Sequence, residues 1–377
     1  MEWQFPTYRI GEKINLDTLA SDFKWIEDMK DVQQDPIWHA EGNVFVHTQM
    51  VLDELINLPE FIELPPQEKH ILVASAIFHD IEKRSTTITE IIDGQPRIVS
   101  PKHAKLGEFT TRSILYKELI APFHIREEIC KLVRLHGLPI WAIEKEDPRK
   151  EVIYASQVVN TKHLTLLAKA DALGRISNDK EDLLFKIDLF QELCKEHECL
   201  GKPKNFKSNY GRFLFFNKEE VFPDYEPFND LKFKVEVLSG LPGSGKDTFI
   251  KKNFNLPILS LDEIRREHNI KPTDKKKNGQ VIQLAKEKAK EYMRNRSSFV
   301  FNATNITVDM RNKWISLFTS YGGDIRINYI EVPYKKLVHQ NHNRQFKVPE
   351  KVIENMILKL EIPTVREAHD VSYIISN

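Results

Sequence analysis

The chain has 377 residues, 41% hydrophobic and 29% charged, the make-up of a soluble globular protein with room for two cores. Apolar runs reach only about eight residues, too short for a spanning helix. The first residues show no basic stretch leading into an apolar one, so no secretory leader is expected. Cys130, Cys194 and Cys199 form no C-x-x-C pair and read as reduced cytosolic thiols, so a cytoplasmic location is expected. Charge cancels overall but is uneven: from Phe233 onward there are 25 Lys and Arg against 16 Asp and Glu. That surplus suits a polyanion, although a chance imbalance on solvated faces weighs equally.

Residues 1–200 read as helices. Val44, Thr48, Val51 and Leu55 keep a helical period, as do Ile125, Ile129, Leu132 and His136. Ser100-Pro101 reads as an N-cap followed by proline in the first turn, and Gly137 and Pro139 stop the helix that ends at His136. Thr86 to Val99 alternates β-branched residues around Asp93-Gly94, the pattern of a short hairpin or a loop over a site. Residues 201–232 read as an ordered connector; nine aromatics fall between Phe206 and Phe233, which suits packing better than base stacking. Residues 233–377 alternate strand and helix. Strands are expected at Phe233–Ser239, Pro257–Leu261, Phe299–Ala303, Ile325–Val332 and Val371–Ile375. Helices are expected at Lys246–Asn253, Thr273–Arg296 and Thr307–Tyr321. The alternation implies a parallel sheet covered by helices. The fold class is therefore multidomain, an all-α domain followed by an α/β domain.

Polar residues interrupt the apolar faces of the first domain. His47 lies between Val44 and Val51, His136 continues the Ile125/Ile129/Leu132 stripe, and Asp171 shares a face with Leu164, Leu167 and Ala168. A polar group in a core costs roughly several kcal/mol unless paired or metal-bound. One such histidine would mean little, but three intruders beside His79-Asp80 suggest ligands. Imidazole mixed with carboxylate favours a transition metal over magnesium.

Gln34-Asp35-Pro36-Ile37-Trp38-His39-Ala40-Glu41-Gly42, His47-Thr48 and Phe78-His79-Asp80-Ile81-Glu82-Lys83 together resemble the HD phosphohydrolase superfamily, over roughly Gln34 to Gly174. The Trp-His-x-Glu-Gly segment is similar to the HD modules of tRNA-end enzymes. The resemblance implies that His47, His79, Asp80 and Asp171 hold one divalent transition metal. His103 and His136 would hold a second, with Asp80 bridging. Lys83 falls where that superfamily often places a basic residue near the substrate phosphate, and Glu82 stands where it often has glycine. His39 either touches the substrate phosphate or holds the preceding loop.

The segment Gly240-Leu241-Pro242-Gly243-Ser244-Gly245-Lys246-Asp247-Thr248 follows a strand and opens a helix. Such a loop turns backbone N–H groups and a helix N-terminus toward phosphates, and Lys246 should reach the β- and γ-phosphates of ATP or another NTP. Asp247 stands where Ser or Thr usually binds Mg²⁺; either Asp247 or the following Thr248 could serve. Asp262 and Arg265 follow the next strand. By themselves they would read as a helix N-cap and a surface charge.

The loop, Ser260-Leu261-Asp262-Glu263-Ile264-Arg265, Asn302-Ala303-Thr304-Asn305, and Asn341-x-x-Arg344 with Val348-Pro349 resemble the 5′-OH polynucleotide kinase family across nearly all of 233–377. That resemblance implies Asp262 as general base, Arg265 as grip on the acceptor phosphate, and Arg344 as a lid residue on the transferring phosphoryl group. Arg311 is a weaker acceptor-site candidate. Lys275-Lys276-Lys277 reads as a solvated loop.

The order of the two modules resembles the bacterial HD–polynucleotide kinase group of end-healing enzymes. It implies phosphorylation of 5′-OH RNA or DNA ends, with hydrolysis of 2′,3′-cyclic or terminal 2′/3′ phosphates, leaving ends for a nucleic-acid ligase. Two rivals remain: a small-molecule or nucleoside kinase joined to a nucleotide phosphohydrolase, and a nucleotide-sensing regulatory NTPase. No membrane association is expected.

Overall fold

The computed structural model describes residues 2–376. The chain divides after Lys204 into two compact units.

The first unit is helical apart from one two-stranded ribbon, β1 (Ile88–Ile92) paired antiparallel with β2 (Gln95–Val99). Its framework helices are Val44–Asn57, Pro66–Phe78, His103–Lys117, Phe123–Leu135 and Thr161–Leu173. Side-chain caps fix several starts. Asn43 accepts from Val46 N and Asn160 from Lys162 N, which satisfies otherwise orphaned donors of the first turn. Pro66 opens the next helix, where a missing N–H costs nothing. Val51, Leu55, Leu72, Ile77, Ile129 and Leu167 are buried, each contributing about 1.5–3 kcal/mol of burial.

Helix Thr161–Leu173 packs on Val44–Asn57, and Gly174 makes the crossing possible. A Cβ there would lie 2.8 Å from Val51 N and 2.9 Å from Val51 Cα, inside the contact distance of real atoms. This approach brings the end of one helix, with Asp171, against the start of the other, with His47.

One expected boundary is wrong. Ser100-Pro101 does not cap a helix: the helix starts at His103 after Lys102, whose φ is 63°. The Ser100 hydroxyl is instead 2.8 Å from Thr87 Oγ1, and its carbonyl accepts from the His103 ring. The helix bearing His136 stops at Leu135, with His136 as its C-cap.

The second unit is built on a parallel sheet of β3 (Phe233–Ser239), β4 (Ile258–Ser260), β5 (Phe299–Asn302), β6 (Gly323–Glu331) and β7 (Asp370–Ile375). Its order is β4-β5-β3-β6-β7. The central strand is Phe-Lys-Val-Glu-Val-Leu-Ser, buried except at Lys234, as a strand covered on both faces should be. Val235, Val237, Phe299, Phe301, Ile325 and Ile327 form the core with Trp314 and Phe318 from helix Val308–Ser320. Because β3 is central and the order reverses beside it, its carboxyl end opens onto the crevice where such sheets bind ligands.

The aromatic stretch after Asn205 belongs to this unit. It contains helix Asn209–Asn217, which rests on the start of β7: Arg212 donates to His369 O and Phe213 packs on the His369 ring. Lys275-Lys276-Lys277 is not a loop. It opens helix Lys275–Arg294, with Asp274 accepting from Lys277 N. Helices Tyr334–Asn343 and Glu350–Ile357 were not expected from sequence. Among the described residues no helix is long and apolar enough to cross a membrane.

Candidate functional site

The six expected ligands of the first unit meet in its interior. His47 sits in the first turn of Val44–Asn57, and His79 and Asp80 just beyond Pro66–Phe78. His103 and His136 end facing helices, and Asp171 lies near the end of Thr161–Leu173. His47 and His79 are inaccessible, Asp80 and Asp171 nearly so. Asp80 joins the set. Its Oδ2 lies 3.3 Å from His79 Nε2 and 3.8 Å from His47 Nε2, and its Oδ1 lies 3.4 Å from His103 Nε2 and 3.9 Å from His136 Nε2. Asp171 Oδ1 is 3.1 Å from His47 Nε2.

Backbone acceptors decide what the rings offer. His79 Nδ1 donates to Ala76 O at 2.7 Å, His103 Nδ1 to Ser100 O at 2.7 Å and His136 Nδ1 to Val133 O at 2.8 Å. His47 Nδ1 lies 2.8 Å from Glu41 Oε1, a charge contact and not an in-line hydrogen bond. With protons held on Nδ1, the Nε2 atoms of His79, His103 and His136 turn lone pairs inward, while His47 Nε2 donates to Asp171 Oδ1 at 3.1 Å. His47 and His79 Nε2 are 3.4 Å apart, and His103 and His136 Nε2 are 3.3 Å apart. The His103 and His136 lone pairs, facing at that distance, repel unless a cation lies between them. Asp80 Oδ1 is buried with no hydrogen-bond partner among the described residues. The donor set therefore fits divalent metal: converging imidazoles, a two-faced carboxylate and second contacts that orient the rings.

Burial pushes His136 down to about 3, with His103 and His79 adding to the effect, and burial also lowers His103. His79 goes the other way: burial opposes its charge, but Asp80 and Asp171 outweigh it and raise its pKa. Burial opposes ionisation of Asp80, but Lys83 and His79 hold its carboxyl well below the usual range. Burial likewise opposes Asp171, which Arg175 and His47 hold low. Lys83 Nζ stands 2.7 Å from Asp80 Oδ2 and 2.6 Å from Gln34 Oε1.

Three participants escaped the sequence reading. Glu41 accepts from His39 Nδ1 at 2.8 Å while facing His47, and its other oxygen accepts from Ile176 N at 2.9 Å. Arg175 grips Asp171 through Nε at 3.0 Å and Nη2 at 2.6 Å. Gln34 braces Lys83. The i,i+4 spacing of Asp171 and Arg175 was a usable signal; Gln34 and Glu41 lie in the segment that carries the resemblance, where neither was given a role. His39 packs its ring 4.7 Å from that of His47.

In the second unit the glycine turn follows β3 and leads into helix Lys246–Asn253. Gly240 has φ 148°, and a Cβ there would meet Ile330 O at 2.5 Å, so no side chain fits. Gly243 packs against Leu337 and Asn341 of helix Tyr334–Asn343. Ser244 is buried and its Oγ lacks a partner among the described residues. Lys246 Nζ bends back to donate to Gly240 O at 2.7 Å and Leu241 O at 2.9 Å. Burial lowers its pKa to about 8, opposed by Asp247 and aided by Arg344. Asp247 Oδ1 accepts from Asn302 Nδ2 at 2.8 Å at the end of β5, whereas Thr248 is exposed.

Ser260, not Asp262, caps helix Leu261–Glu267. Asp262 and Arg265 are paired at 2.7 Å, and Arg265 Nε also donates to Asn278 Oδ1. Arg344 follows helix Tyr334–Asn343, and Asn341 ties down the next turn through Val348 O at 2.7 Å and Val348 N at 3.1 Å. Arg311 is not available to an acceptor. It is fully buried, bidentate to Glu367 at 2.6 and 3.0 Å, and donates to Asn305 O and Glu361 O.

The AAA domain family matches residues 235–363. The second unit carries a P-loop between β3 and helix Lys246–Asn253 within that match. It is similar to the L-seryl-tRNA(Sec) kinase of Methanococcus maripaludis, 29% identical over 143 residues, 36% of this chain and 55% of that protein. The chain thus spans about half the length of that curated relative. Among solved structures, similar chains occur in the Pnkp1/Rnl/Hen1 RNA repair complex and in a gluconokinase from Sinorhizobium meliloti 1021. The first is 22% identical with a TM-score of 0.32, over 34% of this chain and 44% of that one. The second is 16% identical with a TM-score of 0.28, over 38% and 83%.

Proposed function

We propose that the protein heals broken nucleic-acid ends with two centres. The kinase domain moves the γ-phosphate of an NTP to a 5′-OH end of RNA or DNA. The first unit is an HD-type phosphoesterase that hydrolyses a 2′,3′-cyclic phosphate or a terminal 2′- or 3′-phosphate. The products are ends that a nucleic-acid ligase can join. The observation that carries the reading is Asp80, one oxygen toward each imidazole pair, in the same chain as a P-loop kinase domain.

In the phosphoesterase centre, His47, His79, Asp80 and Asp171 would hold one divalent metal, and His103 and His136 a second, shared through Asp80. Bound metal supplies a water whose pKa falls from about 15.7 to about 7, and a Lewis acid for the ester oxygens. The chain's own residues do the rest. Backbone carbonyls keep the protons of His79, His103 and His136 on Nδ1, and Glu41 sets a negative charge beside His47. Lys83 brings a positive charge to the Asp80 side of the cluster, where the substrate phosphate would gather negative charge.

In the kinase centre, the loop from Gly240 to Gly245 and Lys246 cradle the triphosphate, and Asp247 or Thr248 meets Mg²⁺. Asp262 accepts the proton of the attacking hydroxyl. Arg265 orients Asp262 and can hold an acceptor phosphate bidentately. Arg344 neutralises charge on the transferring group. Such transfer depends on positioning and charge, which these residue types supply. A nucleic-acid acceptor is supported by the seryl-tRNA named for the curated relative and by the basic surplus after Phe233.

The test uses a 5′-OH oligonucleotide carrying a 2′,3′-cyclic phosphate, with γ-labelled ATP and Mn²⁺ or Ni²⁺. Label at the 5′ end and a freed 3′ terminus support the reading. Label only on free nucleosides or sugars rejects the polynucleotide acceptor, and NTP turnover indifferent to every acceptor would instead favour a regulatory NTPase.

A further inference from the structure

The loop that seats His39 also presents an exposed indole. Asp35, only 3% exposed, accepts from Ile37 N at 3.0 Å and from Ile98 N of β2 at 3.1 Å, and faces Arg97 Nη1 at 3.4 Å. This buried carboxylate locks the turn to the ribbon. Between them stands Trp38, 39% exposed, with the Arg97 guanidinium 5.5 Å from its ring. A single exposed apolar residue needs no explanation. This one stands in a turn that Asp35 anchors, carries a cation near its ring, and precedes His39, which packs on the expected ligand His47.

We propose that Trp38 and Arg97 seat the nucleobase of the nucleotide whose phosphate enters the metal-ligand cluster, an inference that rests on the phosphoesterase reading above. The occupant follows from the chemistry. An indole and a guanidinium plane both stack on bases, without demanding one base over another. The positive charge of Arg97 complements the phosphate that a nucleotide must carry beside its base. Asp35 keeps Arg97 in place, so little rotamer freedom is lost on binding. A purely apolar partner would gain nothing from the guanidinium.

The experiment compares two oligonucleotides ending in a 2′,3′-cyclic phosphate, one with a normal terminal base and one with an abasic terminal ribose. Trp38→Ala is expected to lower kcat/KM about tenfold on the base-bearing end and to leave the abasic end unchanged; Trp38→Phe should retain most activity. Arg97→Ala should act in the same direction. Equal loss on both ends, or no loss on either, overturns the platform. If the wild type hydrolyses neither end, the phosphoesterase reading falls, and binding decides the platform. In full-length protein with the triphosphate loop disabled by Lys246→Ala, calorimetry would compare base-bearing and abasic 3′-phosphate oligonucleotides. A base-dependent gain in affinity that vanishes with Trp38→Ala supports the seat; a gain that persists, or no gain, rejects it.

Discussion

Glu41 Oε1 lies 2.8 Å from Nδ1 of His47, on the opposite side of the ring from Asp171. Burial works against the Glu41 carboxylate, but His39 and His47 hold its pKa well below the usual range. A carboxylate behind a ligand histidine fixes the ring and raises its basicity. Glu41→Gln should therefore weaken metal binding about 10-fold, and Glu41→Ala up to about 100-fold, as read by competition with a chelating dye. Kinase activity should not change.

Gly174→Ala tests the helix crossing. The added methyl would stand 2.8 Å from backbone of the neighbouring helix, which cannot rotate away. The two helices must part, drawing Asp171 from His47. A loss of about 1–3 kcal/mol in stability is expected from overpacking, together with weaker metal binding. Unfolding by urea with metal present and absent separates the two effects.

His163 links three helices outside the cluster. Its Nε2 lies 3.0 Å from Glu68 Oε2 and its Nδ1 3.5 Å from Glu128 Oε1. Burial opposes the imidazolium, but Glu128 and Glu68 outweigh it and the folded pKa is raised. The stabilisation is thus fully present below the unfolded value, about 6.5, and is lost as pH rises through the folded value. Wild type should melt well above His163→Gln at pH 5.5, and the gap in Tm should shrink toward pH 8.5.

Arg311→Ala should destabilise the kinase domain by about 3–5 kcal/mol, because it strands the buried Glu367 carboxylate. Denaturation monitored by Trp fluorescence would show it. Whatever enzyme remains folded should keep its KM for the acceptor, which an acceptor-binding arginine would not allow.

How far the sequence could be read depends on range. The strands and the glycine turn were legible because local pattern dictates them: Phe233–Ser239 and Lys246–Asn253 fall on their expected residues. Within the cluster, His47, His136 and Asp171 were legible as polar residues misplaced on apolar helical faces, whereas His103 came only from the family resemblance. What failed was settled by partners distant in sequence. Ser100 lost its capping role because Thr87 took its hydroxyl. Arg311 was taken for an acceptor-site candidate although Trp314, Ile315 and Phe318 share its buried face. Helix Tyr334–Asn343 buries only Leu337 and Asn341 from a run of Lys, His and Asn, too faint an amphipathic stripe to stand out.

The central claim is that one chain holds two independent phosphate chemistries, and a crossed pair of variants tests it most directly. Asp80→Ala and Asp262→Ala would each be assayed for 5′-phosphorylation and for 3′-end hydrolysis on the same oligonucleotide. The account expects Asp80→Ala to lose bound transition metal and hydrolysis while kinasing at the wild-type rate. Asp262→Ala should lose about 10²–10⁴-fold in kinasing and hydrolyse normally. Loss of both activities in either variant, or full hydrolysis by Asp80→Ala, would contradict it.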